Sequence, residues 1–309
     1  MKKVKQLKTH YVFLNENNIK VAIPLQLKAD LDIRIDDMIH SEMDIVIVID
    51  GHEGVGKSRT LRVLGSYISD YTGVDFGPDN IHFNVKDYIN SAEDKKSGKY
   101  HINCLDESRE ALNRRRGMAK GNVKFLNWLS ENRDKQQVHI IVLPAIHDLE
   151  SYVTNWRMGL FIHHLKTHGF QKGTLSGYKL VRGYFKVFNK KALQKVIMNS
   201  KKYGYYSYPR NYRYRRKFLD TEPFTDKQLA AYKKKKAEKR AEKYVEKEKK
   251  IGPGIELLSR VVEHKHSQGL SFRDMAKDLG VPRATVFDYY NKYVKPKSKK
   301  EARPVSSTP

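Results

Sequence analysis

Cysteine is almost absent from this chain. Cys104 is the only one in 309 residues, so no internal disulfide can staple the fold, and its thiol reads as a small core residue within an apolar strand. Long apolar runs are absent as well. Nothing approaches the ~18 consecutive apolar residues of a membrane-crossing helix, and the apolar patches present have strand length. The basic start Met1-Lys2-Lys3-Val4-Lys5-Gln6 is not followed by the apolar core of a signal peptide, so a cytoplasmic protein without membrane insertion is expected. Acidic residues are scarce beside basic ones: 35 Asp and Glu face 60 Lys and Arg, a formal net charge of +25. That excess calls for a polyanionic partner, nucleic acid ahead of membrane. No internal repeat is visible.

What the chain does contain is concentrated first in Asp50-Gly51-His52-Glu53-Gly54-Val55-Gly56-Lys57-Ser58, which fills every fixed position of the phosphate-binding loop GxxxxGK[ST]. Glycines let consecutive backbone N–H groups turn inward around a triphosphate, a lysine reaches the β- and γ-phosphates, and a hydroxyl at the last position meets Mg²⁺. Gly51, His52, Glu53, Gly54, Val55, Gly56, Lys57, Ser58 and the following Arg59 are therefore the expected ATP-binding residues. The local context agrees. Met43 to Ile49 reads as a buried parallel strand, and Ser58 to Ser66 as a helix that begins at the loop.

Further along, Tyr100 to Leu105 is a strand that delivers Asp106 and Glu107 at its C-terminal end, the edge where ligands gather in open α/β sheets. Asp106 is expected to hold the Mg²⁺ shell with Ser58, and Glu107 to polarise the attacking water. Consecutive strand residues leave in opposite directions, so two neighbouring carboxylates can take these two roles. Positive charge at the γ-phosphate is sought among Arg114, Arg115, Arg116, Arg133 and Arg157. The triple arginine and Arg133 rank first, because both are expected near the nucleotide edge.

The remaining pattern alternates strand and helix. An extended segment at Ile19 to Leu27 and a short helix at Ile35 to Ser41 lead in. Asp79 to Val85 is a second strand, Lys86 to Ala92 a short helix, Gly121 to Arg133 an amphipathic helix and Val138 to Leu143 a buried strand. Leu160 to His164 and the alternating Tyr178 to Phe188 follow, the latter read as a β-hairpin that closes the domain. The fold class is α/β, built from βαβ units with a mostly parallel sheet. The expected divisions are 1–42 as lead-in, 43–200 as ATPase domain, 201–251 as a basic linker, 252–294 as a small all-α helix-turn-helix domain and 295–309 as a disordered basic tail. Within the linker, Tyr203 to Arg216 interleaves aromatic and cationic residues; such a segment either stacks bases or packs on the ATPase domain.

In the C-terminal module, Ser271 caps a first helix with Asp274 in the capping-box place, Gly280 makes a turn and Pro282 takes the first position of a second helix. Leu257, Leu258, Val261 and Val262 of an upstream helix supply a third wall. Arg283, Ala284, Thr285, Phe287 and Asp288 then project from the second helix as the candidate DNA-binding residues.

The order of phosphate loop, Asp-Glu strand, helix ending in Glu131-Asn132-Arg133, strand Val138 to Leu143 and His147-Asp148-Leu149-Glu150 resembles the additional-strand RecA-like ATPases of the FtsK/HerA group, and within it the zonular occludens toxin-like and viral genome-packaging branch. The resemblance spans about Ile45 to His164. It implies a ring-forming homo-oligomer that hydrolyses ATP to move double-stranded DNA for a virus or mobile element, with a capsid or mobile-element protein as a further partner. The family places a polar γ-phosphate sensor after the strand that follows the Asp-Glu strand, yet here Leu143 meets Pro144, and His147 is the substitute. The alternatives are a transposition or replication helper ATPase, an ATP-responsive DNA-binding regulator and a nucleotide kinase, the last opposed by the Asp-Glu pair and the C-terminal module.

Overall fold

The strand and helix patterns assemble into a seven-stranded sheet in the computed structural model, which describes residues 9–94, 98–106, 120–149, 152–170, 178–188, 191–195, 198, 208, 212–249 and 261–291. At its centre is β3 (Ile45–Gly51), every residue of which is buried. Its alternation divides two cores: Ile45, Ile47 and Ile49 join one apolar cluster, while Val46 and Val48 join the other. The first cluster packs under α1 (Leu25–Ser41) and α2 (Lys57–Thr72), the second under α3 (Val85–Glu93) and α4 (Lys120–Glu131).

The other strands are β4 (Ile81–His82), β5 (Ile102–Leu105), β6 (Val138–Val142), β7 (Leu160–His164), β10 (Tyr184–Phe188) and β11 (Tyr214–Lys217). Their order is β11-β10-β7-β3-β6-β5-β4, with β7 through β4 parallel and β10 and β11 antiparallel at one edge. Thus β6 lies between the strand that carries the phosphate loop and the strand that ends at Asp106, which is the additional strand the resemblance implies. The architecture is that of a RecA-like P-loop NTPase.

Several boundaries differ from the pattern reading. The lead-in is a hairpin of β1 (His10–Leu14) and β2 (Lys20–Pro24), and α1 starts at once at Leu25 rather than near Ile35. The strand expected over Asp79 to Val85 shrinks to two residues, because Pro78–Asn80 is a 3-10 turn and the Asn84 side chain already accepts the Asp87 N–H at 2.7 Å to cap α3. Tyr178 to Phe188 is not a hairpin. Its first half, β9 (Tyr178–Val181), pairs with β8 (Thr167–Phe170), and its second half, β10, pairs with β7 and β11.

The expected end of the domain at residue 200 also moves. Tyr214–Lys217 is an edge strand of the main sheet, and Phe218, Phe224 and Tyr232 belong to its core. Aromatic residues carry this burial where aliphatic ones are scarce, and Tyr214 keeps its polar end satisfied by donating to Asp30 Oδ2 at 2.6 Å. The chain divides instead between Ala237 and Glu238, within α5 (Asp226–Lys249).

The second unit contains a helix over 261–267, α6 (Phe272–Leu279) and α7 (Arg283–Tyr289). Ser271 caps α6, its Oγ accepting the Asp274 N–H at 3.2 Å and donating to Asp274 Oδ2 at 2.5 Å. Gly280 adopts φ 62° at the turn, and Pro282 is the N-cap of α7, one place earlier than expected. Val262, Met275, Ala276 and Val286 form the small core. Leu257, Leu258 and the tail 295–309 lie outside the described residues.

Candidate nucleotide site

The phosphate loop leaves the buried end of β3 and runs into the first turn of α2. Gly51 has φ 134°, and a Cβ on it would lie 2.6 Å from the His164 carbonyl oxygen, so any other residue is both strained and obstructed there. Gly56 has φ 108°, and its carbonyl accepts the Arg59 and Thr60 N–H groups at 3.1 and 3.0 Å, which opens α2 directly after the loop. The start of a helix and the positive end of its dipole favour an anion. Val55 is buried and its carbonyl accepts the Gly183 N–H at 3.1 Å, which ties the loop to the start of β10.

Lys57 extends over the loop and donates to the carbonyls of Gly51 and, at 2.7 Å, His52. Burial pushes the Lys57 ammonium below the usual lysine range, and Asp50, Asp106 and Glu53 act against that shift. His52, Glu53 and Gly54 are exposed at the loop's outer rim, while Ser58 and Arg59 are half-buried.

Asp106 follows directly on β5 and is 1 % exposed. Its Oδ1 lies 3.3 Å from Ser58 Oγ, a contact that joins residues from the loop helix and the β5 strand. A hydroxyl and a carboxylate are hard oxygen donors that suit Mg²⁺, which keeps several waters and takes substrate phosphate oxygens. No cluster of three His, Cys, Asp or Glu able to hold a metal by itself occurs among the described residues. Glu107, Arg114, Arg115, Arg116 and Glu150 lie outside those residues.

Arg133 is not where it was expected. It is exposed on a 3-10 turn (Arg133–Lys135) ahead of β6, which runs parallel to β3, so it stands at the N-terminal edge of the sheet, opposite Gly51. Its charge acts there on Asp44. Arg157 is committed to the same edge, where it donates to Asp44 Oδ2 and, at 2.7 Å, to the Leu129 carbonyl. The substitute sensor, His147, lies on the 3-10 turn Ile146–Asp148, its ring 5.4 Å from that of Tyr208.

Pattern reasoning missed three features of this edge. Asp50, read only as the start of the loop, is fully buried and bonded on both oxygens to His163, Tyr208 and the Ile146 backbone. Tyr232 and Lys236, in a run read as a solvated linker, reach Oδ2 of Asp106. A cavity of about 620 Å³ opens beside the loop, between Gly56, Arg59 and Thr60 on one side and Leu180, Gly183 and Phe218 on the other. Its walls come from the end of β9, the turn that leads into β10, the end of β11 and the segment after it, elements whose placement needed the sheet order. An Asp220 carboxylate at its rim is ion-paired with Arg59.

Of the candidate DNA-binding residues, Arg283, Ala284, Phe287 and Asp288 are exposed on α7 and Thr285 is half-buried, while Val286 points into the core. Phe287 is 50 % exposed, its ring edge-on to that of Phe272 at 5.5 Å.

No family profile matches the chain, and no curated protein matches it. Among solved structures the chain is similar to the genome packaging NTPase B204 from Sulfolobus turreted icosahedral virus 2. The complex with ATP-gammaS is 16 % identical, covers 49 % of this chain and 94 % of that one, and has a TM-score of 0.29. The complex with AMPPCP is 15 % identical over 49 % and 95 % of the two chains with a TM-score of 0.29, and the complex with AMP is 15 % identical over the same shares with a TM-score of 0.28.

Proposed function

We propose that this protein is a Mg²⁺-dependent ATPase that acts on double-stranded DNA as a homo-oligomeric ring, packaging or translocating the genome of a virus or mobile element in the cytoplasm of its host. The observation that carries the nucleotide part is the 3.3 Å contact between Ser58 Oγ and Asp106 Oδ1 at the head of a complete phosphate loop. Backbone N–H groups from Gly54 to Ser58 hold the phosphates, and Lys57 swings from the loop carbonyls to the β- and γ-phosphate oxygens. The adjoining cavity, within the range of small-molecule sites, receives the base and ribose. Mg²⁺ held by Ser58 and Asp106 supplies neutralisation of charge on the phosphate oxygens. Glu107 orients and deprotonates the attacking water. Arg115, or Arg133 of a neighbouring copy, meets the charge that develops at the γ-phosphate; the place of Arg133 at the far edge of its own sheet requires the second copy for that role.

The DNA part is supported by the net charge of +25 and by the exposed residues of α7, with Arg283, Ala284, Thr285, Phe287 and Asp288 facing a major groove. The deciding experiment measures ATP turnover of the full chain and of Lys57→Ala with and without double-stranded DNA, alongside its mass in solution with a nonhydrolysable ATP analogue. DNA-stimulated turnover that Lys57→Ala abolishes, in an assembly larger than a monomer, is the expected result. Turnover unchanged in Lys57→Ala rejects the site, and turnover indifferent to DNA rejects the substrate.

A further inference from the structure

Asp106 has a second carboxylate oxygen, and the first turns of α5 hold it. Oδ1 faces Ser58, whereas Oδ2 accepts the Tyr232 hydroxyl at 2.6 Å and the Lys236 ammonium at 3.1 Å. The i, i+4 spacing puts both side chains on one face of the helix, and Lys236 also donates to the Tyr232 oxygen at 3.3 Å. This is an enclosed contact. Tyr232 is buried, the Lys236 side chain is 17 % exposed, the Arg62 guanidinium lies 4.9 Å from the Tyr232 ring, and Phe83 packs against that ring at 5.8 Å.

The helix is anchored for the purpose at several independent points. Arg62 of α2 donates twice to Glu222, at 2.7 and 2.5 Å. Phe224 packs on Phe76 at 5.7 Å, and Thr225 caps α5 through the Gln228 N–H at 3.2 Å. Lys235 donates to the Pro78 carbonyl at 3.1 Å. A solvated Lys/Glu helix needs none of these contacts.

Two donors on one oxygen have two separable effects on a metal-holding acid. A hydrogen bond to the far oxygen fixes the rotation of the carboxylate and so aims the near oxygen. A fixed ammonium beside the acid cancels part of its charge and repels an incoming cation. We propose that Tyr232 and Lys236 are positioning residues that set the Mg²⁺ requirement of the nucleotide site: Tyr232 aims Asp106 Oδ1 at the metal, and Lys236 raises the Mg²⁺ concentration at which Mg²⁺ and nucleotide bind together. This rests on the reading of Ser58 and Asp106 as the Mg²⁺-holding pair.

The test is Mg²⁺ titration of the full-length protein in the presence of a fluorescent nonhydrolysable ATP analogue, which reads binding without turnover. Lys236→Met and Lys236→Gln should each lower the half-saturating Mg²⁺ concentration by about tenfold or more, tenfold being the size expected when one charge about 6 Å from a divalent cation is removed under fully aqueous screening. Lys236→Arg, which keeps the charge, should titrate like the wild type. Tyr232→Phe should raise the midpoint, since the carboxylate loses its aim while the ammonium stays. An unchanged or raised midpoint in any folded Lys236 variant that removes the charge overturns the role of Lys236, and an unchanged midpoint in Tyr232→Phe overturns that of Tyr232. Failure of the site itself looks different: the wild type would then bind the analogue without regard to Mg²⁺, or Lys57→Ala would bind it equally well.

Discussion

His163 and Asp50 sit side by side at the ends of adjacent parallel strands, with His163 Nδ1 2.7 Å from Asp50 Oδ1. The other oxygen of Asp50 accepts the Ile146 N–H at 2.8 Å and the Tyr208 hydroxyl at 2.5 Å, and the Tyr208 ring stacks on His163 at 3.8 Å. One buried carboxylate thereby pins the ends of β7, β3 and the turn after β6 beneath the phosphate loop. Burying it without these partners would be costly, and the partners would be stranded without it.

Asp50→Ala should therefore lower stability by about 3–5 kcal/mol, the cost of breaking a buried charged network from one side. Asp50→Asn, which keeps the shape and one acceptor, should lose less. Denaturant unfolding of the two variants and the wild type checks the order. An unfolding midpoint in Asp50→Ala equal to that of the wild type would show that the network is not holding the edge.

Acid should destabilise the fold through two buried histidines. His139 and His164 are buried as neutral rings, and burial pushes each down to about 3 from an ordinary value of 6.5, helped by Arg157 at His139 and Lys57 at His164. The folded values lie below the unfolded one, so the unfolded chain takes up these protons first and stability falls as the pH drops from 6.5 towards 3. At pH 5 each ring costs about 2 kcal/mol relative to neutral pH. Unfolding measured at pH 7.5, 6 and 5 should show that decline, and His164→Gln, whose amide reaches the position of the ring nitrogen bonded to Thr60, should make it shallower. Equal stability across the window would contradict the neutral burial.

Arg283→Ala and Phe287→Ala should each weaken binding to double-stranded DNA, Arg283 by about 1–3 kcal/mol if it reads a base edge. Removal of everything after Lys250 should weaken it further and leave basal ATP turnover intact. Fluorescence anisotropy at one fixed salt concentration, with turnover measured in parallel, separates the two properties. Full affinity after the truncation would assign DNA binding elsewhere on the protein.

The parts of the site that pattern alone exposes are local ones. Gly51, Gly54, Gly56, Lys57 and Ser58 act within one turn of chain, and each is needed for a reason that holds wherever the loop is placed. The strand that delivers Asp106 is likewise visible, because an apolar run ending in carboxylates is a short-range pattern. Misreadings arose where the partner is distant. Tyr178 to Phe188 alternates as strands should, yet alternation does not say which strand lies alongside, and β9 and β10 chose different neighbours. Arg133 follows a helix and precedes a strand, a position that by pattern alone reads as near the nucleotide edge; the parallel direction of that strand puts it at the opposite edge instead.

By itself, the sequence determined the phosphate loop, the alternation that makes an α/β sheet, the acid at the end of its strand and the positive balance that calls for a polyanion. Only the tertiary structure decided that β6 stands between the loop strand and the acid strand, that Asp50 is bonded from three sides, and that the start of a Lys/Glu helix closes on Asp106 through Tyr232 and Lys236. The reason is physical. Backbone conformation and the chemistry of a loop follow from neighbours in sequence, whereas the pairing of strands and the docking face of a helix follow from burial summed over residues far apart in the chain, where two charged side chains of the same type can end in solvent or against a buried acid.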